Sequence, residues 1–350
     1  MPKLSRREFL QALAAGMGAV IADQFLVACG QKETPLQAPL PTTSLASASQ
    51  TGTPQPTPTP DASETAPGPE PTDLPTSTPQ PAPDLVVARH GEPQMLVQQA
   101  LAPFGGLAAF VPTGANVVIK PNICVGYHTY EYAATTNPWV VGALVKLAFG
   151  AGAASVRVMD NPFGGLPEAA YAKSGIKDQV EAAGGEMVVM SNLKFVEVEL
   201  PNPLSLKRTR IYDDILKADV VINVPIAKHH NLAGLTLGMK NLLGAIHQRS
   251  PLHARLGENL TDLATLIRPA LTVIDAVRVL RKHGPTGGDL RDVDQLDTLI
   301  VSPDIVAADS YAASLFDTQP MDLSYIQAGV QAGLGRADLE NLHIEEIDLA

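Results

Sequence analysis

A segment rich in Pro, Thr, Ser and Ala runs from Gln31 to Pro83 and limits which part of this chain can fold. Its densest part, Thr53 to Pro60, places a proline at every second position. Such a segment has almost no large apolar side chains to bury, so we expect residues 30–83 to form a disordered linker. Frequent proline favours the extended polyproline II conformation and makes the linker a semi-rigid spacer. A folded domain is therefore predicted for residues 84–350.

Residues 1–29 have the features of a bacterial export signal. Ser5 to Leu10 has the sequence SRREFL, a twin-arginine signature, and an apolar stretch rich in Ala and Gly follows as far as Ala22. Leu26 to Cys29 then resembles a lipobox, in which the cysteine is joined to a diacylglycerol and becomes the new N-terminus. We therefore predict a twin-arginine lipoprotein signal peptide in which Cys29 is lipidated.

The predicted signal peptide implies both a location and partners. We expect the chain to cross the cell membrane in folded form through the twin-arginine translocase. It should then stay on the extracytoplasmic face, attached to the membrane by its lipid anchor. An N-terminal transmembrane helix is the alternative. Its apolar run is shorter than the ~20 residues that span a bilayer, and Asp23 and Gln24 interrupt it.

Charge and cysteine content exclude several classes of protein. The chain has a formal net charge of −11 and lacks the basic composition that nucleic-acid binding requires. It has 2 cysteines, and lipidation of Cys29 leaves Cys124 alone. Neither an internal disulfide in the mature domain nor a cysteine-ligated iron–sulfur cluster is therefore expected.

Apolar runs rich in Val and Ile alternate with helical patterns after residue 84. This alternation predicts an α/β fold with a mainly parallel sheet and flanking helices. We expect two lobes, at 84–205 and 206–350. Because ligands bind outside the carboxyl ends of strands in such sheets, the polar motifs found there predict one cleft. Strands are predicted at 116–122, 155–160, 186–190, 219–225, 271–276 and 296–302, and helices at 137–150, 169–183, 234–246 and 304–316.

Four short motifs resemble a known family. They are Val118 to Asn122 (VIKPN), Thr136 to Pro138 (TNP), Asp219 to His230 (DVVINVPIAKHH) and Met239 to Gly244 (MKNLLG). With them the chain resembles the domain of unknown function 362 family over most of residues 84–316. Members of that family are often fused to ferredoxin-like cluster modules or lie beside redox proteins. This chain has no such cluster module, so the resemblance implies a fold and a site, but no known reaction.

The first candidate residues follow the strand predicted at 116–122. Lys120 and Asn122 place a cation and a carboxamide at its carboxyl end. Asp160 ends a second strand, where it either meets Lys120 across the cleft or caps a helix. A purely structural ion pair at the rim of the sheet is the alternative to a binding role. The TNP motif of the family adds Thr136 to the predicted substrate-binding residues.

Lys228, His229 and His230 follow the most apolar strand of the chain. Side chains alternate along a strand, so at most two of these three face one pocket. The family more often has Lys-Thr-His at this place, and the resemblance therefore favours His230 over His229. We predict Lys228 and His230 as catalytic residues, with His230 as a general acid/base or a metal ligand. A hydrogen-bonding histidine on the surface is the alternative.

Lys240 and Asn241 are unusual in an otherwise apolar segment unless a polar or anionic group lies nearby. With Lys120 and Lys228, Lys240 makes three cations in an acidic chain. Such a set favours a small ligand that bears a carboxylate or a phosphate. The amides of the loop around Gly287 are a further candidate for anion binding, although most Gly/Pro loops are only turns.

Four residues leave open a metal site. His229, His230 and His247 could supply imidazole ligands for zinc, nickel or iron, and Asp275 could supply an oxygen ligand. Their spacing matches no compact metal-binding motif. No cofactor is identified by the sequence, and a metal bound by His and Asp is the only chemistry of this kind that the residues offer.

Two hypotheses about function remain. The sequence has no Walker phosphate loop, no dinucleotide-binding glycine motif after a strand and no Gly-x-Ser-x-Gly elbow. The first hypothesis is a redox- or metal-linked enzyme that acts on a small anionic substrate. The alternative is a non-catalytic lipoprotein that binds an anionic ligand or assists a redox complex. The residues alone do not decide whether the chain is an enzyme.

Overall fold

The computed structural model describes residues 81–350. The predicted signal peptide and residues 30–80 of the predicted linker lie outside the described residues. The strands are β1 (Leu85–Arg89), β2 (Asn116–Pro121), β3 (Ser155–Val158), β4 (Glu186–Met187), β5 (Phe195–Glu199), β6 (Arg208–Tyr212), β7 (Val220–Val224), β8 (Ile226–His230), β9 (Gly234–Thr236), β10 (Leu271–Leu280), β11 (Val293–Ser302) and β12 (Ile344–Asp348). The α-helices are α1 (Pro93–Leu101), α2 (Pro138–Gly150), α3 (Pro167–Lys173), α4 (Ile176–Ala182), α5 (Asp213–Lys217), α6 (Gly238–Asn241), α7 (Leu256–Ile267), α8 (Ile305–Ser314) and α9 (Ser324–Gln331).

Most of the strands belong to one mixed, mostly parallel sheet, which confirms the predicted fold class. The strand order is β12-β1-β11-β10-β7-β2-β3-β4, and β8 also pairs with β10 and with β9. Strand β2 lies parallel to both of its neighbours, β3 and β7. Strand β1 lies between β11 and β12, with Val86 opposite Val301 on one side and Glu345 on the other.

Both faces of the sheet are buried, because successive side chains of a strand point to opposite faces. On β2, Val118 packs into one core, whereas Val117 and Ile119 pack into the other. Helices α7, α8 and α9 contribute to the first core, and helices α1 to α4 contribute to the second. The helix layers on the two faces explain why the strands are almost continuously apolar.

Helix α2 begins where the sequence predicts it. Asn137 is its N-cap, and its side chain accepts a hydrogen bond from the amide of Trp139 at 3.0 Å. Pro138 occupies the first turn, where its missing amide proton costs nothing. This helix places the loop that precedes it against the carboxyl end of β2.

Two predicted helices are wrong in detail. The helix predicted at 169–183 is divided into α3 and α4, because Gly175 adopts a left-handed φ of +76° between them. The helix predicted at 234–246 begins instead as strand β9, which pairs with β8 in a hairpin. Only the short helix α6 and a 3-10 turn at Leu242–Ala245 follow. The hairpin takes up the first residues of the apolar pattern, which the sequence alone does not distinguish from a helix.

The lobes predicted at 84–205 and 206–350 share one sheet. Strands β2 and β3 come from the first range, and β7 and β10 come from the second. No helix within residues 81–350 combines the length and the apolar character needed to cross a bilayer.

Candidate functional site

A cavity of about 840 Å³ opens at the carboxyl ends of β2 and β3, beside the β8–β9 hairpin. Seven of the residues predicted from the sequence line it, which shows that the chain brings distant motifs together. They are Asn122, Asp160, Lys228, His230, Lys240, Asn241 and His247.

Lys120 lies directly beneath this cavity and is only 1% exposed. Its Nζ donates to Asp160 Oδ1 at 2.7 Å, to Asn241 Oδ1 at 3.0 Å and to the carbonyl of Pro121 at 2.8 Å. The predicted contact between Lys120 and Asp160 is therefore present. Burial lowers the pKa of Lys120, and the neighbouring Asp160 opposes that shift. With three acceptors, all three ammonium protons are used.

Lys228 is held in a similar way but without a carboxylate. Its Nζ donates to Asn122 Oδ1 at 2.9 Å and to the carbonyls of Ala134 and Pro285 at 2.6 and 3.0 Å. Burial lowers the pKa of this lysine as well. The direct hydrogen-bond acceptors of Lys228 are therefore neutral oxygen atoms, while Cys124 and Asp160 oppose the lowering of its pKa.

Two carboxamides join these lysines. Asn122 Nδ2 donates to Asn241 Oδ1 at 2.9 Å, and Asn241 Nδ2 donates to Asn223 Oδ1 at 2.9 Å. Thr136 accepts from the amide of Asn122 and donates to the carbonyl of Val224, both at 2.8 Å. Thr136 thus positions Asn122 and does not itself line the cavity.

Helix α6 carries Lys240 and Asn241, and the buried carboxylate of Asp309 fixes its first turn. Asp309 accepts hydrogen bonds from the amides of Gly238 and Met239 at 2.6 and 2.9 Å. Burial raises the pKa of Asp309 to about 7. The position of this four-residue helix is therefore set by tertiary contacts, since so short a helix has little stability of its own.

Lys240 differs from the other two lysines because it has no partner. It is 8% exposed and lines the cavity, and its Nζ makes no hydrogen bond or ion pair within residues 81–350. Burial, together with Lys228 and Arg249, lowers its pKa to about 8. At neutral pH it is therefore mostly charged.

Arg249 is a second cation on the cavity wall that lacks a carboxylate partner in the described part of the chain. Its Nη2 donates to the carbonyls of Asn161 and Pro162 at 2.5 and 3.4 Å. Burial lowers the pKa of this guanidinium. The cavity thus has a surplus of positive charge, since Asp160 is the one carboxylate among its lining residues and already pairs with Lys120.

His230 is neutral in this environment. Its Nδ1 accepts from the amides of Leu232 and Ala233 at 3.1 and 3.3 Å, which leaves Nε2 as the protonated nitrogen of the ring. Burial and the nearby Lys240 lower its pKa to about 3. The ring stacks near His253, with 6.3 Å between centroids. His230 is therefore suited to donate a hydrogen bond, and little suited to accept a proton at neutral pH.

Two further polar atoms on the cavity wall have no partner among the described residues. These are Thr236 Oγ1 and His247 Nδ1, and both are buried. Buried polar atoms are nearly always hydrogen-bonded in folded proteins. These two residues therefore contribute polar atoms behind the cavity surface whose hydrogen-bonding capacity is unused among the described residues.

The remaining predicted residues lie elsewhere. His229 Nδ1 accepts from the amide of Gly284 at 3.1 Å, and the buried Asp275 accepts from the amides of Asn137 and Val277. The amide of Gly287 donates to the carbonyl of His283 at 3.1 Å, and none of these residues lines the cavity. Across residues 81–350, no three His, Cys, Asp or Glu side chains are grouped as metal ligands.

The sequence does not predict Arg249 or Thr236 as site residues. Thr236 lies in the segment expected to be helical, where its position gives no signal. Arg249 belongs to a stretch with several basic residues, His247 to Arg255, in an otherwise acidic chain. That local surplus of positive charge is the one signal that could have identified it.

A family model and a curated relative both match this chain. A family model described as "Domain of unknown function (DUF362)" matches residues 117–314. A thylakoid-associated protein of Synechocystis sp. is 29% identical over 243 residues, which cover 67% of this chain and 73% of that protein.

A structural comparison gives a more distant match. The apoprotein of lactate racemase from Thermoanaerobacterium thermosaccharolyticum matches with 15% identity and a TM-score of 0.39, over 61% of this chain and 53% of that chain. The match thus spans about half of the racemase, and a likeness at this level carries no argument about function. Because the family model covers more than half of the sequence, the chain belongs to the domain of unknown function 362 family.

Proposed function

We propose that the cavity binds a small anionic ligand and that Lys240 and Arg249 bind its carboxylate or phosphate group. The observation that carries the proposal is the side chain of Lys240, which is only 8% exposed, lines the cavity and has no hydrogen-bond or ion-pair partner among the described residues. Removing a charge from water is costly, so largely buried charges in proteins are nearly always paired. An anion in the cavity supplies the missing partner.

The other polar groups of the cavity fit the same ligand. Lys120 and Lys228 have no free protons, so they contribute charge rather than hydrogen bonds. Arg249 still has donors to offer, and guanidinium groups bind carboxylates and phosphates through two parallel hydrogen bonds. The protonated Nε2 of His230 adds a neutral donor. The ligand is therefore bound mainly by donors, as an oxyanion requires.

Sulfate is a suitable probe, because its charge does not change between pH 6 and pH 10. We expect Lys240→Met to weaken sulfate binding by about 10- to 100-fold, the usual value of a hydrogen bond to a charged group. The matched control is Lys146→Met, which removes an exposed lysine of α2 and should leave the affinity unchanged. Isothermal titration calorimetry measures both. Equal affinities in the two variants would contradict the role of Lys240.

The same titration has an expected pH dependence. Anion binding requires the charged form of Lys240, whose pKa is about 8 in the free protein. Sulfate affinity should therefore be constant below pH 8 and fall above it, by up to about tenfold per pH unit, until it levels off at the affinity of Lys240→Met. Lys240→Met should abolish this inflection. An inflection that persists in the variant would assign the titration to another group.

An enzyme that acts on the bound anion is the second candidate. The observation in its favour is the pKa of Lys240, because a lysine that titrates near pH 8 can transfer protons at physiological pH. A redox- or metal-linked reaction belongs to the same candidate. Elemental analysis and an absorption spectrum of protein exported by its own signal would separate these cases. A stoichiometric metal or chromophore would favour the cofactor enzyme, and colourless metal-free protein would exclude it and leave proton transfer by Lys240 or binding alone.

We also propose that the protein is exported by the twin-arginine translocase and lipidated on Cys29. The SRREFL motif and the lipobox-like LVAC sequence support this proposal. The double variant Arg6→Lys with Arg7→Lys should stay in the cytoplasm. The control variant Thr57→Ala, in the linker, should be exported normally. Cys29→Ser should allow export but release the protein from the membrane fraction. Cell fractionation and mass spectrometry of the N-terminal peptide measure these outcomes. Normal export of the double variant would overturn the proposal.

A further inference from the structure

We infer that the anionic ligand also carries an apolar body, which packs on Phe163 and Leu232 at the mouth of the cavity. This inference rests on the proposed function, because it describes the second half of the ligand that Lys240 and Arg249 bind. The class of ligand is therefore an amphiphile: an oxyanion attached to an alkyl or aryl group.

The size of the cavity is the first reason. Its volume of about 840 Å³ lies within the range of roughly 300–1,000 Å³ that encloses drug-sized ligands. A bare oxyanion would fill only a small part of it. The cationic groups are joined on its walls by the apolar side chains of Ile123, Leu243 and Pro251. The cavity thus has both a charged part and an apolar part.

The second reason is the exposure of Phe163. Its side chain is 57% exposed although it lines the cavity. The position is not accidental, because its amide donates to the carbonyl of Cys124, another lining residue, at 3.2 Å. The two preceding carbonyls, of Asn161 and Pro162, accept from Arg249. One cation of the proposed site therefore holds the loop that presents this ring.

Leu232 is the second exposed apolar residue at the mouth of the cavity. It is 68% exposed, and it also lines the cavity. Its amide donates to Nδ1 of His230 at 3.1 Å, so the histidine that offers Nε2 to the anion also fixes Leu232. Single exposed apolar residues are common on protein surfaces. Two that border one cavity, each tied by its backbone to a polar group of the site, indicate a contact surface for the ligand.

The experiment compares inorganic phosphate, n-butyl phosphate and n-octyl phosphate as monomers at constant pH. Each buried methylene contributes about 0.8 kcal/mol, or roughly fourfold in affinity, so three buried methylenes give about 60-fold. We expect octyl phosphate to bind tighter than phosphate by at least this factor. In the double variant Phe163→Ser with Leu232→Ser, the ratio of the two affinities should fall at least about tenfold.

Two control variants separate the effect of the apolar contacts from other effects on affinity. Leu193→Ser removes an apolar side chain that is 94% exposed and does not line the cavity, so the ratio should not change. Lys240→Met should weaken phosphate and octyl phosphate by the same factor and leave the ratio as it is. Vesicles that contain phosphatidic acid form a separate arm. Binding to monomeric octyl phosphate identifies a free amphiphile, and binding to vesicles alone identifies a lipid headgroup.

The failures of the two proposals are distinguishable. If phosphate binds and the alkyl chain adds nothing, the apolar body is wrong and the anion site stands. If phosphate, its esters and the phosphatidic acid vesicles all fail to bind, the proposed function itself fails. If affinity still increases with alkyl chain length to the same extent in the double serine variant, the role of Phe163 and Leu232 is overturned.

Discussion

Lys120→Met is expected to lower the free energy of unfolding by about 3–5 kcal/mol, the cost of removing one partner from a buried ion pair. Methionine has nearly the length of lysine, so the variant removes the charge without leaving a large cavity. Asp160 is then left buried without its ammonium partner, and the amide of Ile123, at 2.6 Å, is its remaining donor among the described residues. Asn241 also loses a donor to its Oδ1. Chemical denaturation followed by circular dichroism measures the loss.

The surface provides a control for this variant. Lys217 pairs with Asp213 one helical turn away, but its side chain is 73% exposed. Lys217→Met should therefore change the free energy of unfolding by about 0.5 kcal/mol or less. Adding Asp160→Asn to Lys120→Met should restore part of the stability, because no charge is then left unpaired. The importance of the ion pair would be contradicted if Lys120→Met lowered the free energy of unfolding by less than about 1 kcal/mol. It would also be contradicted if the double variant were less stable than Lys120→Met alone.

Gly244→Ala is expected to have an effect of similar size, about 3–5 kcal/mol, because it breaks the same ion pair sterically. A Cβ at this position would lie 2.5 Å from Lys120 Nζ and would overlap Asp160 Oδ1. Neither group can retreat, because both are buried and fixed by hydrogen bonds. The variant must therefore move the 3-10 turn at Leu242–Ala245 or separate the pair, and either change deforms the cavity. Denaturation and sulfate titration measure the two consequences.

Gly150→Ala is the matched control for this substitution. Gly150 is the last residue of α2, and no atom lies within 4 Å of the position that its Cβ would take. Alanine there should be neutral or should stabilise the protein by up to about 1 kcal/mol. The effect of Gly244→Ala should shrink only in part when Lys120→Met is already present, because the ion pair is then absent but the clash with Asp160 Oδ1 remains. Fully additive effects of the two substitutions would refute the explanation through the ion pair.

The pattern of the sequence predicts the frame of the fold well. Strand β2 and helix α2 begin near the predicted residues because a buried apolar run and an Asn-Pro start signal act locally. The β8–β9 hairpin escapes prediction because β9 is only three residues long, too short for a period-2 pattern to stand out within an apolar segment. The break at Gly175 is a backbone event that the helical periodicity of its neighbours conceals.

The candidate site, too, is predictable in part from the sequence. Polar residues at the carboxyl ends of strands predict that Lys120 meets Asp160, because the topology of parallel sheets brings those ends together. The sequence cannot show that Lys120 and Lys228 have all their protons satisfied while Lys240 has none. That difference depends on the backbone carbonyls of Pro121, Ala134 and Pro285. Every residue has such a carbonyl, so the sequence does not mark these three as acceptors. Arg249 enters the site only through the path of its loop.

The position of β1 also bears on when the domain can fold. Val86 pairs with Val301, and the other edge of β1 pairs with β12, so its partners are synthesised more than 200 residues later. A nascent chain therefore holds an apolar strand with two unpaired edges for most of translation, and such edges are prone to aggregate. Contacts so distant in sequence also slow folding. The closing of the central sheet is thus a late event, which waits until the ribosome has released nearly the whole domain.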